Sequence, residues 1–144
     1  MDRTALTIGL LKEDDGDAVA ALMKKVGFFQ FADFPIDWSQ LGPNWLGAFL
    51  DSDLVGCIQV VPALPIGRIE ILCVNPDLSL MMRYRVTAEL TNHATATVKM
   101  YGAQAVSSMI PRRYADYLNG SARHGWVEID SGAMVMKRLT HDGQ

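Results

Sequence analysis

The stretch RIEILCVNPDLSLMMRYRVTAEL, residues 68–90, carries most of the candidate chemistry of this chain. Its first half is apolar at successive positions, as in a strand buried on both faces. A short turn follows, and then apolar residues recur at helical spacing. A strand-to-helix turn holds phosphate well, because the first N–H groups of the helix are unpaired and its dipole favours an anion. Glycine usually lets the ligand approach that backbone, yet none stands between Gly67 and Gly102. Arg83 and Arg85 fall in the first turns of the helix, where cations oppose the dipole. Arginine can pair with phosphate through two parallel N–H bonds; the other reading leaves both solvated or paired with Glu89 and other acids. Glu70 lies in the strand, four residues before Val74. A partly buried carboxylate there would have a raised pKa and suit a base. The alternative is an ion pair with Arg68 or across the strand.

Other reactive side chains form no local motif. Cys57 and Cys73 lie in apolar strand-like runs and read as buried, reduced thiols. Neither has a histidine or second cysteine at ligand spacing, so no zinc site and no other metal site is expected. A thiol in such a strand makes a poor nucleophile. His93, His124 and His141 form no triad with serine and aspartate. Residues 28–45, FFQFADFPIDWSQLGPNW, combine breakers with Phe28, Phe29, Phe31, Phe34, Trp38 and Trp45. Two readings stand for this loop: rings that plug the core, or a substrate or partner wall. In the second, Phe29, Phe31, Phe34 and Trp38 make the contacts.

The elements that must position these groups follow along the chain. Residues 4–11 are rich in β-formers. Asp14, Asp15 or Asp17 then caps a helix with Val19, Leu22, Met23 and Val26 on one face and Gly27 at its end. Two apolar runs around Asp51-Ser52-Asp53 form a hairpin. Residues 68–74 follow as a mid-sheet strand. A long helix starts at Asp77 or Ser79, carries Met82, Val86, Leu90, Ala94 and Val98 on one stripe and ends at Gly102. AQAVSSMIP is a further strand, RRYADYLNGSARHG a short helix, and WVEIDSGAMVMKRL a closing hairpin over Ser131-Gly132. The tail, residues 140–144, reads as loose.

The chain has 144 residues and net charge −3. That length suits one domain spanning 1–144, and the charge gives no clear nucleic-acid signal. The N-terminal MDRTALTIGLLKEDDGD does not read as a signal peptide, and no apolar run approaches membrane-spanning length. A cytoplasmic protein without membrane contact is expected.

The order β-α-loop-β-β-β-α-β-α-β-β resembles the GNAT superfamily of N-acetyltransferases. DSDLVGCIQVV is similar to that family's hairpin, GRIEILCVNPDL to its central strand ending in Val-x-Pro, and SARHGWVEI with MVMKRL to its terminal helix and hairpin. The resemblance implies an α/β (α+β) fold: a mixed central sheet of about six to seven strands flanked by three to four helices. It also implies acetyl-CoA as cofactor, bound where two central strands splay apart. Backbone groups of Leu72, Cys73 and Val74 would pair with the pantetheine arm, and the turn and helix start after Pro76 would take the pyrophosphate. The family's Arg/Gln-x-x-Gly-x-Gly/Ala pattern falls at Ser79, Met82 and Tyr84, none of which matches; Arg83 stands beside them as a replacement. Glu70 would be the base. The family's proton-donating tyrosine position falls at Ser121, one turn after Tyr117, with Tyr114 a further turn back; Tyr117 is the candidate acid. Asn119 is a candidate contact to the thiol or amide.

The implied reaction is acetyl transfer to an amine, on a small molecule or a protein, by direct attack. The alternative is a catalytically inactive GNAT-fold binding or structural protein, as among virus-encoded members, acting through protein contacts. A homodimer whose closing strands pair across subunits is compatible with either.

Overall fold

A computed structural model describes residues 5–27, 36–110 and 115–130, with Lys137 and Leu139. They fall in two compact units, Met1–Ser108 and Met109–Gln144. The first holds strands β1 (Leu6–Leu10), β2 (Trp45–Leu50), β3 (Asp53–Val61), β4 (Ile66–Val74) and β5 (Ala105–Ser107), with helices α1 (Gly16–Val26) and α2 (Leu80–Met100). The second holds helix α3 (Ala115–Ala122).

The sheet runs in sequence order from β1 to β5. Neighbours are antiparallel except β4 and β5, which are parallel and joined by α2. The β2–β3 hairpin turns at Asp51 and Ser52, both with φ above zero (47° and 79°). That backbone matches the twist of a two-residue turn, and short polar residues tolerate it.

α1 and α2 cover opposite faces of this sheet. On β3, Gly56 lies under α2: a methyl group there would stand 2.7 Å from Val86 Cγ1 and 3.0 Å from Leu90 Cδ1. Successive strand residues point to opposite faces, so Cys57 faces the other way, into a cluster with Val19, Leu22 and Met23 of α1. Val86, Leu90, Ala94 and Val98 are all buried along one stripe of α2, the stripe expected from their spacing. Burying a Val or Leu side chain contributes about 1.5–3 kcal/mol, so this stripe anchors the helix on the sheet. α1 ends at Gly27, which adopts the left-handed conformation and donates to Met23 and Lys24 carbonyls.

Three expectations differ. The sheet has five strands among the described residues, because Trp126–Asp130 is not paired as a strand there and residues 131–136 lie outside them. The strand expected over 103–111 shortens to three residues, since its pairing with β4 ends at Ser107. Asp15 precedes α1, but its carboxylate accepts from the Lys12 N–H instead of capping that helix.

Candidate functional site

β4 is irregular where chemistry was expected. Cys73 sits opposite Cys57 and Glu70 opposite Gln59, so Ile71 and Leu72 share one position across from Ile58. This bulge puts Ile71 at φ 56°, a conformation that costs a β-branched residue on the order of 1–2 kcal/mol. The extra residue also sets the direction of Glu70. Directly opposed residues share a face, and so do Cys57 and Gln59, two apart on β3. Glu70 therefore shares the face of Cys73, though the two lie three positions apart, an odd offset that would place them on opposite faces of a regular strand. Without the bulge it would point beneath α2.

On that face Glu70 is half-buried and Arg68 Nε lies 3.2 Å from its Oε1. The ion pair expected as the alternative role of Glu70 is thus present. Gln59, half-buried across the ladder from Glu70, adds an amide on the same face. Sequence reasoning missed Gln59, because only the register reveals this neighbour.

Next to Glu70 the sheet opens. β5 pairs with Ile66, Gly67 and Arg68 only, while β4 continues to Val74. Among the described residues, no strand pairs with that edge of β4 beyond Arg68. The unpaired stretch of that edge includes Leu72, Cys73 and Val74, the residues expected to line the splay, whose side chains are half-buried or buried.

The edge leads into a short turn. Asn75 donates its N–H to Val55 O, and its Oδ1 accepts from Asp77 N–H at 3.0 Å. Lys25 at the end of α1 pairs with Asp77. Ser79 caps α2, its Oγ accepting from Met82 N–H at 3.2 Å. Arg83 N–H takes the Ser79 carbonyl at 2.9 Å. The helix start is left with the N–H groups of Leu80 and Met81, which have no acceptor one turn back within the helix. Ser79 and Tyr84 are exposed, and Met82 is half-buried.

Arg83 stands three positions before Val86 and is half-buried. Its Nε is enclosed without a hydrogen-bond partner, the one such side-chain nitrogen or oxygen among the described residues. An enclosed cationic donor without an acceptor is unfavourable, and an anion at the helix start would relieve it. The residues therefore fit a pyrophosphate group despite the missing glycines. Arg85 is exposed, and Glu89 pairs with His93, not with an arginine.

Trp38 is half-buried and packs edge-on against Trp45, centroids 5.8 Å apart, which is the core-plugging role. Phe29, Phe31 and Phe34 lie outside the described residues. Asn119 is exposed on α3; Tyr117 belongs to the same helix, but its side chain lies outside the described residues.

No protein-family model matches this sequence, and no curated protein does so. Solved structures do match. A transcriptional regulator from Bacillus halodurans superposes with a TM-score of 0.76 at 13% identity, over 92% of this chain and 100% of that one. An N-acetyltransferase from Thermoplasma acidophilum, in complex with coenzyme A, gives 0.72 at 14% identity, over 89% and 93%. An aminoglycoside acetyltransferase from an uncultured soil metagenomic sample gives 0.67 at 17% identity, over 94% and 97%.

Proposed function

We propose that this chain, which has the fold of the GNAT acetyltransferases, is a CoA-dependent N-acyltransferase that moves an acetyl group to an amine by direct attack. The observation that carries this reading is the edge of β4, unpaired beyond Arg68 and leading into the Ser79-capped start of α2. When bound, acetyl-CoA supplies the acetyl thioester. Backbone groups of Leu72, Cys73 and Val74 hold the pantetheine arm as a strand would be held. The N–H groups of Leu80 and Met81, with Arg83, hold the pyrophosphate. Glu70 accepts the proton of the attacking amine. Arg68 keeps its carboxylate oriented, and Tyr117 gives a proton to the departing thiolate.

A second reading is a GNAT-fold module that binds a partner without turnover. It is favoured by the glycine-free turn, in which Ser79 already engages the Met82 N–H. Calorimetry with acetyl-CoA and with CoA separates the two. Saturable binding at micromolar to millimolar concentration is expected; no heat and no thermal shift at millimolar ligand would reject the acyltransferase.

A further inference from the structure

An acceptor for the proposed transfer has to reach Glu70, and the charges around Glu70 select one kind of amine. The proposed donor runs along β4 from the start of α2 past Val74, Cys73 and Leu72, so its thioester arrives beside Glu70. Arg68 lies two residues before Glu70 and on the same face. It marks the point where β5 stops, for its partner there is Ser107, the last residue of that strand. Both charged side chains are open to solvent, 53% exposed for Arg68 and 36% for Glu70. α1 covers this face of the sheet at Cys57 and Cys73. Across from Glu70 the row runs through Gln59 to Trp45, which is buried. Among the described residues, the open charged corner of the face is therefore Glu70 with Arg68. Arg68 uses one nitrogen on Glu70, Nε at 3.2 Å from Oε1, and has no other ion pair among the described residues. A guanidinium carries five N–H donors, so the two Nη groups at its far end remain as a fork.

We propose that the acceptor is a free α-amino acid, held as a zwitterion by Glu70 and Arg68; this rests on the acyltransferase reading above. The ammonium group pairs with Glu70, and the carboxylate takes the Arg68 Nη fork through two parallel N–H bonds. An α-amino acid carries its two charges on one carbon, and Glu70 and Arg68 present the opposite charges 3.2 Å apart. The bound set has no net charge, so none is left unpaired when the donor covers the corner. A polyamine would bring further cations against Arg68, and an amine without a carboxylate would leave the fork empty. A protein N-terminus or a lysine side chain has no carboxylate beside its amine and is disfavoured for the same reason. Transfer balances as follows. The ammonium first loses one proton to solvent, and its nitrogen attacks the thioester carbonyl. Glu70 takes the second proton as the C–N bond forms. The C–S bond breaks to a thiolate, which Tyr117 protonates in its proposed role, and water then returns the proton of Glu70 to Tyr117.

The test uses the full chain with acetyl-CoA. The common L-amino acids are offered singly, and beside each active one its amide and the amine that lacks its carboxylate. A thiol reagent follows CoA release, and mass spectrometry identifies the acetylated product. The expected kcat/KM is about 10- to 100-fold higher for the amino acid than for either analogue, as for one charged hydrogen-bonded contact. Arg68→Gln removes the fork at an exposed position. Poorer orientation of Glu70 lowers kcat for every acceptor alike, whereas loss of the fork raises KM for the amino acid alone, so the preference should vanish. Circular dichroism checks that the variant folds, and the comparison of acceptors on the unaltered chain decides the matter if it does not. An analogue used as well as its amino acid, or a preference unchanged in Arg68→Gln, would overturn the proposal. The two readings fail separately. NMR of the isotope-labelled chain follows the Arg68 Nε–H signal during titration with amino acid, with and without CoA, and needs no turnover. A shift with the amino acid but not its amide, without acetyl-CoA binding, supports the zwitterion site and rejects the acyltransferase. Acetyl-CoA binding with neither that shift nor amino-acid turnover rejects the zwitterion site alone, and absence of all three rejects both.

Discussion

Glu70 and Arg83 were both singled out from the sequence, and each gains a specific setting in the fold. Glu70 pairs with Arg68 and shares a face with Gln59. As the base, its replacement in Glu70→Gln should slow acetyl transfer by about 10²–10⁴-fold while leaving acetyl-CoA affinity nearly unchanged. Steady-state kinetics beside calorimetry would show this, and full activity would remove Glu70 from the reaction. Arg83 Nε is enclosed without an acceptor. A hydrogen bond to a charged group contributes about 1.5–3 kcal/mol, so Arg83→Ala should weaken CoA binding by about 10- to 100-fold. An unchanged dissociation constant would take Arg83 out of the phosphate site. Away from the site, Asp37 accepts from the Ser39 hydroxyl at 2.6 Å and from its N–H at 3.0 Å. The hydroxyl first, and then the N–H, hold its carboxyl below the ordinary aspartate range. A depressed carboxylate pKa adds stability above the unfolded value, lost as pH falls through the folded one. Asp37 is fully exposed, so its titration midpoint, not the melting temperature, is the informative readout: NMR should show the midpoint rising in Ser39→Ala.

Among the elements, α2 depends on glycines in the sheet beneath it. A methyl group on Gly56 would meet Val86 Cγ1 at 2.7 Å, and one on Gly67 would meet Val98 Cγ1 at 2.3 Å. Gly56→Ala should therefore destabilise the protein by about 1–3 kcal/mol through overpacking. Adding Val86→Ala should recover part of that loss, because it removes the atom in the way. Denaturant unfolding of both single variants and the double one gives the coupling, and simple additivity would mean that α2 does not sit on Gly56 as described. The helix itself was readable from the chain, since Val86, Leu90, Ala94 and Val98 mark its buried stripe and Ser79 its cap. The bulge in β4 was not. Its residue in the left-handed region is Ile71, and a β-branched residue carries no turn or bulge signal, unlike glycine or asparagine.

At the scale of the whole molecule, acetyl-CoA binding should couple to folding. At one hundred times its dissociation constant, a ligand adds about 2.7 kcal/mol. For a protein near this size that raises the melting temperature by roughly 5–10 °C. Scanning calorimetry at increasing acetyl-CoA reads this shift, and its absence at millimolar ligand would leave the binding-module reading. Much of the architecture is local in origin. Apolar periodicity, caps and turn residues depend on neighbours a few positions apart, so the order of strands and helices from β1 to α3 and the buried stripes of α1 and α2 could be read from the residues alone. Register is different. A single extra residue in β4 reverses the face of every residue on one side of it, and whether it is present depends on how β3 pairs with β4. For that reason the direction of Glu70, its neighbour Gln59, the edge of β4 open beyond Arg68 and the meeting of Met23 with Cys57 emerged only with the folded chain. Each joins residues far apart in sequence, where composition and spacing carry no information about contact.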